Sequence, residues 1–313
     1  MMTQKIAGCD VSKQALDVGF WPRGATRRFS NDAPGLKRLI AWLGRHGVAV
    51  VGLEPSGGYE KRAIKALIAA GFDVRFADAR RVRLLAEAHN AGAKTDAIDA
   101  GFIARFIAET GGRKIVRDPA REKLRDLMAA RRQLIDAALR LKQQATALER
   151  GAARRGLERS AAKLVAEAKA LEAAARATLN ADAALGRQAR LLQTAPGIGV
   201  IAAATLLADM PELGALSGKQ AARLAGLAPY VRESGHWKGR AACGGGRVVP
   251  RNLLYLAAMT AKRTNPAARA AFDRLVAAGK PKMVALVALM RKLLTALNAM
   301  LRDQKPWIPA AQQ

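Results

Sequence analysis

Asp10, Glu54, Asp96 and Asp99 are the residues of this chain whose type and placement could do chemistry. Asp10 closes the apolar run Ile6-Ala7-Gly8-Cys9, and Glu54 closes a second run, Val48 to Leu53. Asp96 and Asp99 stand three apart in Lys94-Thr95-Asp96-Ala97-Ile98-Asp99, at the start of an apolar-periodic helix, and so share one helical face. Clustered carboxylates repel one another unless cations stand between them. Hard divalent ions such as Mg²⁺ or Mn²⁺ take oxygen ligands, and Mg²⁺ commonly bridges carboxylates to phosphate. A pair of such ions can stabilise the attacking and leaving oxygens of an in-line phosphoryl transfer. In a chain with 53 Lys and Arg against 25 Asp and Glu, four converging acids point to an enzyme acting on nucleic acid.

Two nearby acids are set aside. Glu60 falls in the first turn of the helix after Glu54, where an acid suits the helix dipole in any case. Asp17 lies on the second strand, and the sequence does not say to which side of the sheet it points.

The elements that must position the acids follow from the apolar pattern. Lys5 to Asp10 and Ala15 to Trp21 read as strands around the turn Val11-Ser12-Lys13-Gln14, and Thr26 to Ser30 as a third antiparallel strand. Asn31-Asp32-Ala33-Pro34 is a helix start, with Leu36, Leu39, Ile40 and Leu43 as the buried stripe. Val48 to Leu53 is a buried strand, Tyr59 to Ala70 a helix, Phe72 to Ala77 the last strand, and Arg80 to Ala88 and Asp96 to Ile107 helices. Three antiparallel strands followed by α-β-α-β-α is the order of an α/β ribonuclease H-like fold, and residues 1–118 are expected to form it.

Residues 119–185 change character. Leu124, Leu127, Arg131, Leu134, Ala138, Leu141, Ala145 and Leu148 alternate at three and four residues, and Leu157, Ala161, Leu164, Ala168, Leu171 and Ala175 repeat the pattern. The basic turn Arg150 to Gly156 lies between them, so a long coiled-coil hairpin is expected, with Arg131 setting register or pairing with an acid across the seam. Two apolar seams suggest that the hairpin joins copies of the chain into a dimer.

Residues 186–313 read as mainly helical. Pro196-Gly197-Ile198-Gly199 resembles the turn of a helix-hairpin-helix, where Gly197 and Gly199 would free backbone N–H groups for a phosphate. Between Pro229 and Pro250 the chain is Gly-rich and polar, and helices resume at Arg251 to Ala261 and Lys282 to Leu301. Ser217 precedes a helix start and reads as its N-cap.

The net charge of +28 is spread along the chain, at +8, +8 and +12 over residues 1–118, 119–190 and 191–313. A polyanion touching every part of the molecule accounts for that spread. The basic residues placed to meet it are Arg80, Arg81 and Arg83 after the last strand and Arg154 and Arg155 at the hairpin tip. Cys9 and Cys243 have neither disulfide nor metal-site spacing. No signal-like segment and no apolar run of membrane-spanning length is evident, so a cytoplasmic, nucleoid-associated protein without membrane contact is expected.

Three motifs carry a resemblance to a known family. Gly8-Cys9-Asp10-Val11-Ser12-Lys13, Glu54-Pro55-Ser56-Gly57-Gly58-Tyr59 and Lys94-Thr95-Asp96-Ala97-Ile98-Asp99-Ala100 resemble the acidic motifs of the Asp-Glu-Asp-Asp transposases. These are bacterial insertion-sequence recombinases of the one-hundred-and-ten family, with a RuvC-like catalytic domain. Thr194 to Gly199, Leu224 to Pro229 and Glu233-Ser234-Gly235 are similar to that family's C-terminal transposase domain. The resemblance implies a metal-binding tetrad of Asp10, Glu54, Asp96 and Asp99. It also implies a serine nucleophile that forms a phosphoserine link to DNA, here Ser234, and a structured guide RNA that pairs with donor and target DNA. Arg232, Lys238 and Arg240 around Ser234 are then candidate phosphate contacts, as is Arg251 by a looser match. Such an enzyme would work as a dimer that pairs into a tetramer on DNA. A Holliday-junction resolvase using water as nucleophile, and a nucleic-acid-binding protein without catalysis, are the rival readings.

Overall fold

The computed structural model describes residues 5–22, 24–89, 96–230, 233–234, 237–238 and 242–308, and of residues 96–98, 233–234 and 237–238 the backbone alone. The chain divides into two compact units, residues 1–117 and 118–313.

In the first unit, β1 (Ile6–Val11), β2 (Ala15–Trp21) and β3 (Arg27–Ser30) form an antiparallel meander. There follow α1 (Ala33–Arg45), β4 (Val50–Leu53), α2 (Glu60–Ala69), β5 (Asp73–Phe76), α3 (Ala79–Ala88), α4 (Asp96–Thr110) and β6 (Arg113–Lys114). The sheet order is β3-β2-β1-β4-β5-β6, with β4 parallel to both β1 and β5. A meander continued by parallel strands on the far side of β1 is the ribonuclease H-like arrangement expected from the sequence. The edge strand β6 was not anticipated, because two basic residues carry no apolar alternation.

Each face of the sheet has its own cover. Ala7, Cys9, Val11, Leu16, Val18 and Leu53 point to one side and pack with Leu39 and Leu43 of α1 and Leu67 of α2. Each fully buried leucine there contributes about 2 kcal/mol. Asp32 starts α1 by accepting the Gly35 N–H at 2.7 Å, a cap that contributes about 1 kcal/mol. On the other side, Val50 and Ala77 pack with Ile103, Phe106 and Ile107 of α4 and Val82 of α3.

In the second unit, α5 (Pro119–Thr146) and α6 (Ala152–Ala181) pack against each other as a hairpin. The buried line is alanine: Ala138 and Ala145 on one helix, Ala161, Ala168 and Ala175 on the other. Leu134, Leu141, Leu157, Leu164 and Leu171 flank it half-buried, and Leu148 is exposed. Arg131 donates across the seam to Glu172 Oε1 at 2.6 Å, the pairing with an acid that its seam position suggested. The turn is shorter than expected. Gly151 caps α6, so Arg154 and Arg155 stand in its first turn, where Arg154 pairs with Glu158 at 2.9 Å.

The unit continues with α7 (Ala183–Gln193), α8 (Val200–Asp209) and α9 (Gly218–Leu224), then β7 (Pro229–Tyr230), β8 (Glu233–Ser234), β9 (Trp237–Lys238) and β10 (Ala242–Cys243). It ends with α10 (Val248–Thr264), α11 (Pro266–Ala277) and α12 (Lys282–Asp303). The sequence reading missed α11, although Asn265 caps it and Pro266 opens its first turn. It also found no apolar run of membrane-spanning length. Helix α12 corrects that: its 22 residues, with a mean hydropathy of 1.6 over the most apolar window, reach that length and composition. Leu286, Leu289, Leu293, Leu294 and Leu297 spend that apolarity on the core of the second unit.

Candidate active site

The register of the sheet places the acids. Cys9 and Leu53 are the last pair of the parallel β1–β4 ladder, and Asp10 and Glu54 each follow one residue later. Both carboxylates therefore leave the sheet at its C-terminal rim, at one level. Asp99 is half-buried in the first turn of α4. Burial pushes the Glu54 carboxyl up to about 7 from an ordinary value of 4.5. The charges of Asp10 and Asp99 push the same way, and Arg83 opposes them. Asp10 and Asp99 thus both act on Glu54 as like charges. Among the described residues, no three His, Cys, Asp or Glu side chains close into a group that could hold a metal ion. The side chain of Asp96, the fourth acid, lies outside the described residues. The donor set is all carboxylate and short of positive charge, and that chemistry suits a hard divalent cation.

Two further acids reach this rim. Asp17 pairs directly with Asp10 in the β1–β2 register, so the two side chains share a face, and Asp17 lies 3.6 Å from Arg28. Asp78 stands two residues beyond the end of β5, and its charge also raises the Glu54 pKa. It accepts the Arg81 N–H at 3.1 Å and so caps α3. The signal for Asp78 was present in the sequence as an acid directly after the strand Phe72 to Ala77.

The loops beside the acids are held by side chains. Glu60 is buried and accepts from Ser56 Oγ at 2.7 Å, Gly58 N at 2.8 Å and Ser56 N at 3.1 Å. Desolvation would raise its pKa, but these hydrogen bonds outweigh it and hold the carboxyl below its ordinary value. Glu60 is therefore a clamp on the loop that follows Glu54. Asn31 Nδ2 donates to Ser12 O at 2.9 Å and to Tyr59 O at 3.1 Å, tying the β1–β2 turn to the same loop. Cys9, next to Asp10, is buried on the opposite face, and desolvation first, then Asp10 and Asp17, push its thiol pKa far up. It is not a nucleophile.

Of the basic residues on α3, Arg80 and Arg83 are exposed, and Arg81 stacks its guanidinium 5.2 Å from the Phe106 ring. Arg155 is exposed on the first turn of α6.

The serine segment is a β excursion from the helical unit. Pro229 pairs with Cys243 and Tyr230 with Ala242, and further out Glu233 pairs with Lys238 and Ser234 with Trp237. Its neck is clamped. Gly226 and Gly246 cross so closely that a Cβ on either would collide with the other strand's backbone. Arg247 makes a two-pronged contact with Glu212 at 2.7 Å, and Arg251 donates to Gly245 O at 2.7 Å. Arg232 and Arg240 lie outside the described residues, as do the side chains of Ser234 and Lys238. In the Pro196 to Gly199 turn, Gly197 has φ +81° and sits so close to α10 that a Cβ would meet the Ala257 carbonyl. Gly199 is the N-cap of α8. Ser217 caps α9 through a reciprocal pair with Gln220.

Two family models match. The transposase model of the IS110 Asp-Glu-Asp-Asp type covers residues 7–150, and that of the IS116/IS110/IS902 transposase family covers residues 189–273. The chain belongs to the IS110 family of transposases. It is an enzyme acting on DNA. The pilin gene-inverting protein of Moraxella bovis is 26% identical over 321 residues, with 98% of each chain covered. The 42 kDa protein of insertion element IS900 from Mycobacterium paratuberculosis is 39% identical over 131 residues, 40% of this chain and 32% of that one. Among solved structures, RuvC of Thermus thermophilus covers 36% of this chain and all of its own, at 16% identity and a TM-score of 0.24. In this transposase the first model spans all four candidate carboxylates and the second spans Ser234.

Proposed function

We propose that this transposase cuts and rejoins DNA strands at the acidic rim of its first unit with Ser234 as nucleophile, guided to donor and target DNA by a structured RNA from the element. The observation that carries the reading is the register that sets Asp10 and Glu54 side by side on parallel strands, with Asp99 in the first turn of α4 adding its charge to that of Asp10 on Glu54. Asp10, Glu54, Asp96 and Asp99 would hold Mg²⁺ or Mn²⁺, which when bound neutralises the carboxylates and stabilises charge on the transferring phosphate.

In the reaction, the Ser234 oxygen forms a bond to phosphorus and the bond from phosphorus to the leaving deoxyribose oxygen breaks. The serine proton is lost to solvent, and the leaving oxygen gains one. The phosphoserine ester keeps the bond energy, so a hydroxyl of the partner strand can reverse the step and join to the new end. Arg232, Lys238 and Arg240, neighbours of Ser234 in sequence, balance charge on the phosphate oxygens. Arg80, Arg83 and Arg155, exposed on their helices, bind the nucleic-acid backbone. Two copies of the chain pair through the helical hairpin and assemble further on DNA.

The test is incubation of the full chain with RNA transcribed from the element's flank, donor and target DNA and Mg²⁺. Joined product and a denaturant-resistant protein–DNA adduct are expected, both dependent on the RNA. Cleavage without adduct would assign water as the nucleophile, and joining without RNA would remove the guide.

A further inference from the structure

Three glycines line up across the sheet on the face covered by α4. Gly8 on β1 pairs with Gly19 on β2 and with Gly52 on β4, so all three open the same face at one rung. A Cβ at Gly8 would collide with the Ala100 carbonyl oxygen and the Ala104 nitrogen. One at Gly19 would stand 3.1 Å from Gly101 N, and one at Gly52 would stand 2.5 Å from Ile107 Cγ1. Helix α4 thus lies on bare strand backbone, closer than any side chain would permit.

The next rung on the same face is Asp17 and Asp10, with Glu54 following Gly52 by two residues. Two residues of strand advance about 6.7 Å. Helix α4 crosses that face obliquely, from Ala100 at Gly8 and Gly19 to Ile107 at Gly52. Asp99 directly precedes Ala100, whose carbonyl lies against Gly8, and Asp10 follows Gly8 by two residues. The depth at which α4 sits on the glycines therefore sets the distance of the Asp99 backbone from the strands that carry Asp10 and Glu54.

We infer that the Gly19–Gly8–Gly52 rung is a positioning device for the metal site, fixing the separation of the helix-borne acids from the strand-borne ones. The inference rests on the proposed role of the carboxylates. Each of the three glycines acts through α4, whose atoms lie against it.

The test is a titration of the full chain, free of nucleic acid, with Mn²⁺, following the free ion by electron paramagnetic resonance beside thermal melting. Wild type binds, and Gly52→Ala binds about tenfold more weakly with its melting still cooperative. Removing the obstructing atom should let α4 settle again, so Gly52→Ala with Ile107→Ala regains the affinity of Ile107→Ala alone. Gly8→Ala, which meets backbone, has no such partner and stays weak. Wild-type affinity in Gly52→Ala, or weak binding that persists in the double variant, would overturn the inference. Unchanged binding in Asp10→Asn would overturn the carboxylate site itself and the inference with it, which separates the two failures.

Discussion

Asp10 and Glu54 stand side by side at the ends of parallel strands, each one residue beyond the Cys9–Leu53 pair that closes the β1–β4 ladder. Neither has sequence neighbours in common with the other, yet the ladder delivers both to one level. Asp99 comes to them on α4. The relationship is electrostatically unfavourable in the bare chain, and several outcomes follow from that.

Replacing Asp10 or Asp99 with Asn removes charge and keeps shape. Strand cleavage should fall by about 10³-fold or more, the range found when one member of a catalytic set is lost. Nucleic-acid binding should persist, and melting in the presence of EDTA should rise rather than fall, because a repelling charge is gone. A lowered melting point in either variant would show that the carboxylate is a structural group.

Stability of the metal-free chain should depend on pH through Glu54. Its folded pKa, about 7, lies above the ordinary 4.5, so the folded state holds the proton more tightly. The contribution is fully present below about pH 4.5 and is lost as pH rises through about 7. Urea midpoints measured across that window should fall with pH in wild type and fall less in Glu54→Gln. Saturating Mg²⁺ should compress the difference, since the cation supplies the charge that the proton supplied.

Affinity for nucleic acid should fall steeply with salt. A chain of net charge +28 that meets many phosphates releases many counterions, at roughly 0.7–0.9 in the log–log slope per phosphate contacted. A slope corresponding to one or two contacts would mean that the charge is compositional.

The hairpin carries half-buried leucines outside its alanine line. Leu141→Glu with Leu164→Glu should lower the oligomer size in sedimentation and abolish recombination while helix content is kept. Unchanged size and activity would confine the seam to the packing of α5 on α6.

Ser234→Ala should bind RNA and DNA normally, form no denaturant-resistant adduct and yield no recombinant. Ser217→Ala is the control: losing the cap of α9 should cost about 1 kcal/mol of stability and leave the adduct intact. Adduct formed by the first variant and lost in the second would mean that the wrong serine was assigned.

Much of the first unit was legible because its signals are local. Apolar runs ended by acids marked β1 and β4, and Asp32 with Pro34 marked the start of α1. The register of Asp17 was not legible, since a strand's pleat has a side only once its partner is fixed, and β1 fixes it. Asp78 was passed over although it directly follows the strand Phe72 to Ala77. In the second unit the alanine and leucine periodicity marked two long helices and put Ala138, Ala145, Ala161, Ala168 and Ala175 on the seam, but not that these alanines would be buried while Leu134, Leu141, Leu157, Leu164 and Leu171 stay half-buried.

The sequence by itself determined the acids, the element order from β1 to α4, the family and the basic character, because each depends on residue types at short range. Only the tertiary structure decided that Gly8, Gly19 and Gly52 form one rung, that α4 rests on it, and that Glu54 is pushed up by Asp10 and Asp99. Those facts are distances between segments far apart in the chain. A glycine in a strand looks the same in sequence whether it faces water or the backbone of a helix, and only the packing of α4 on the sheet tells the two apart.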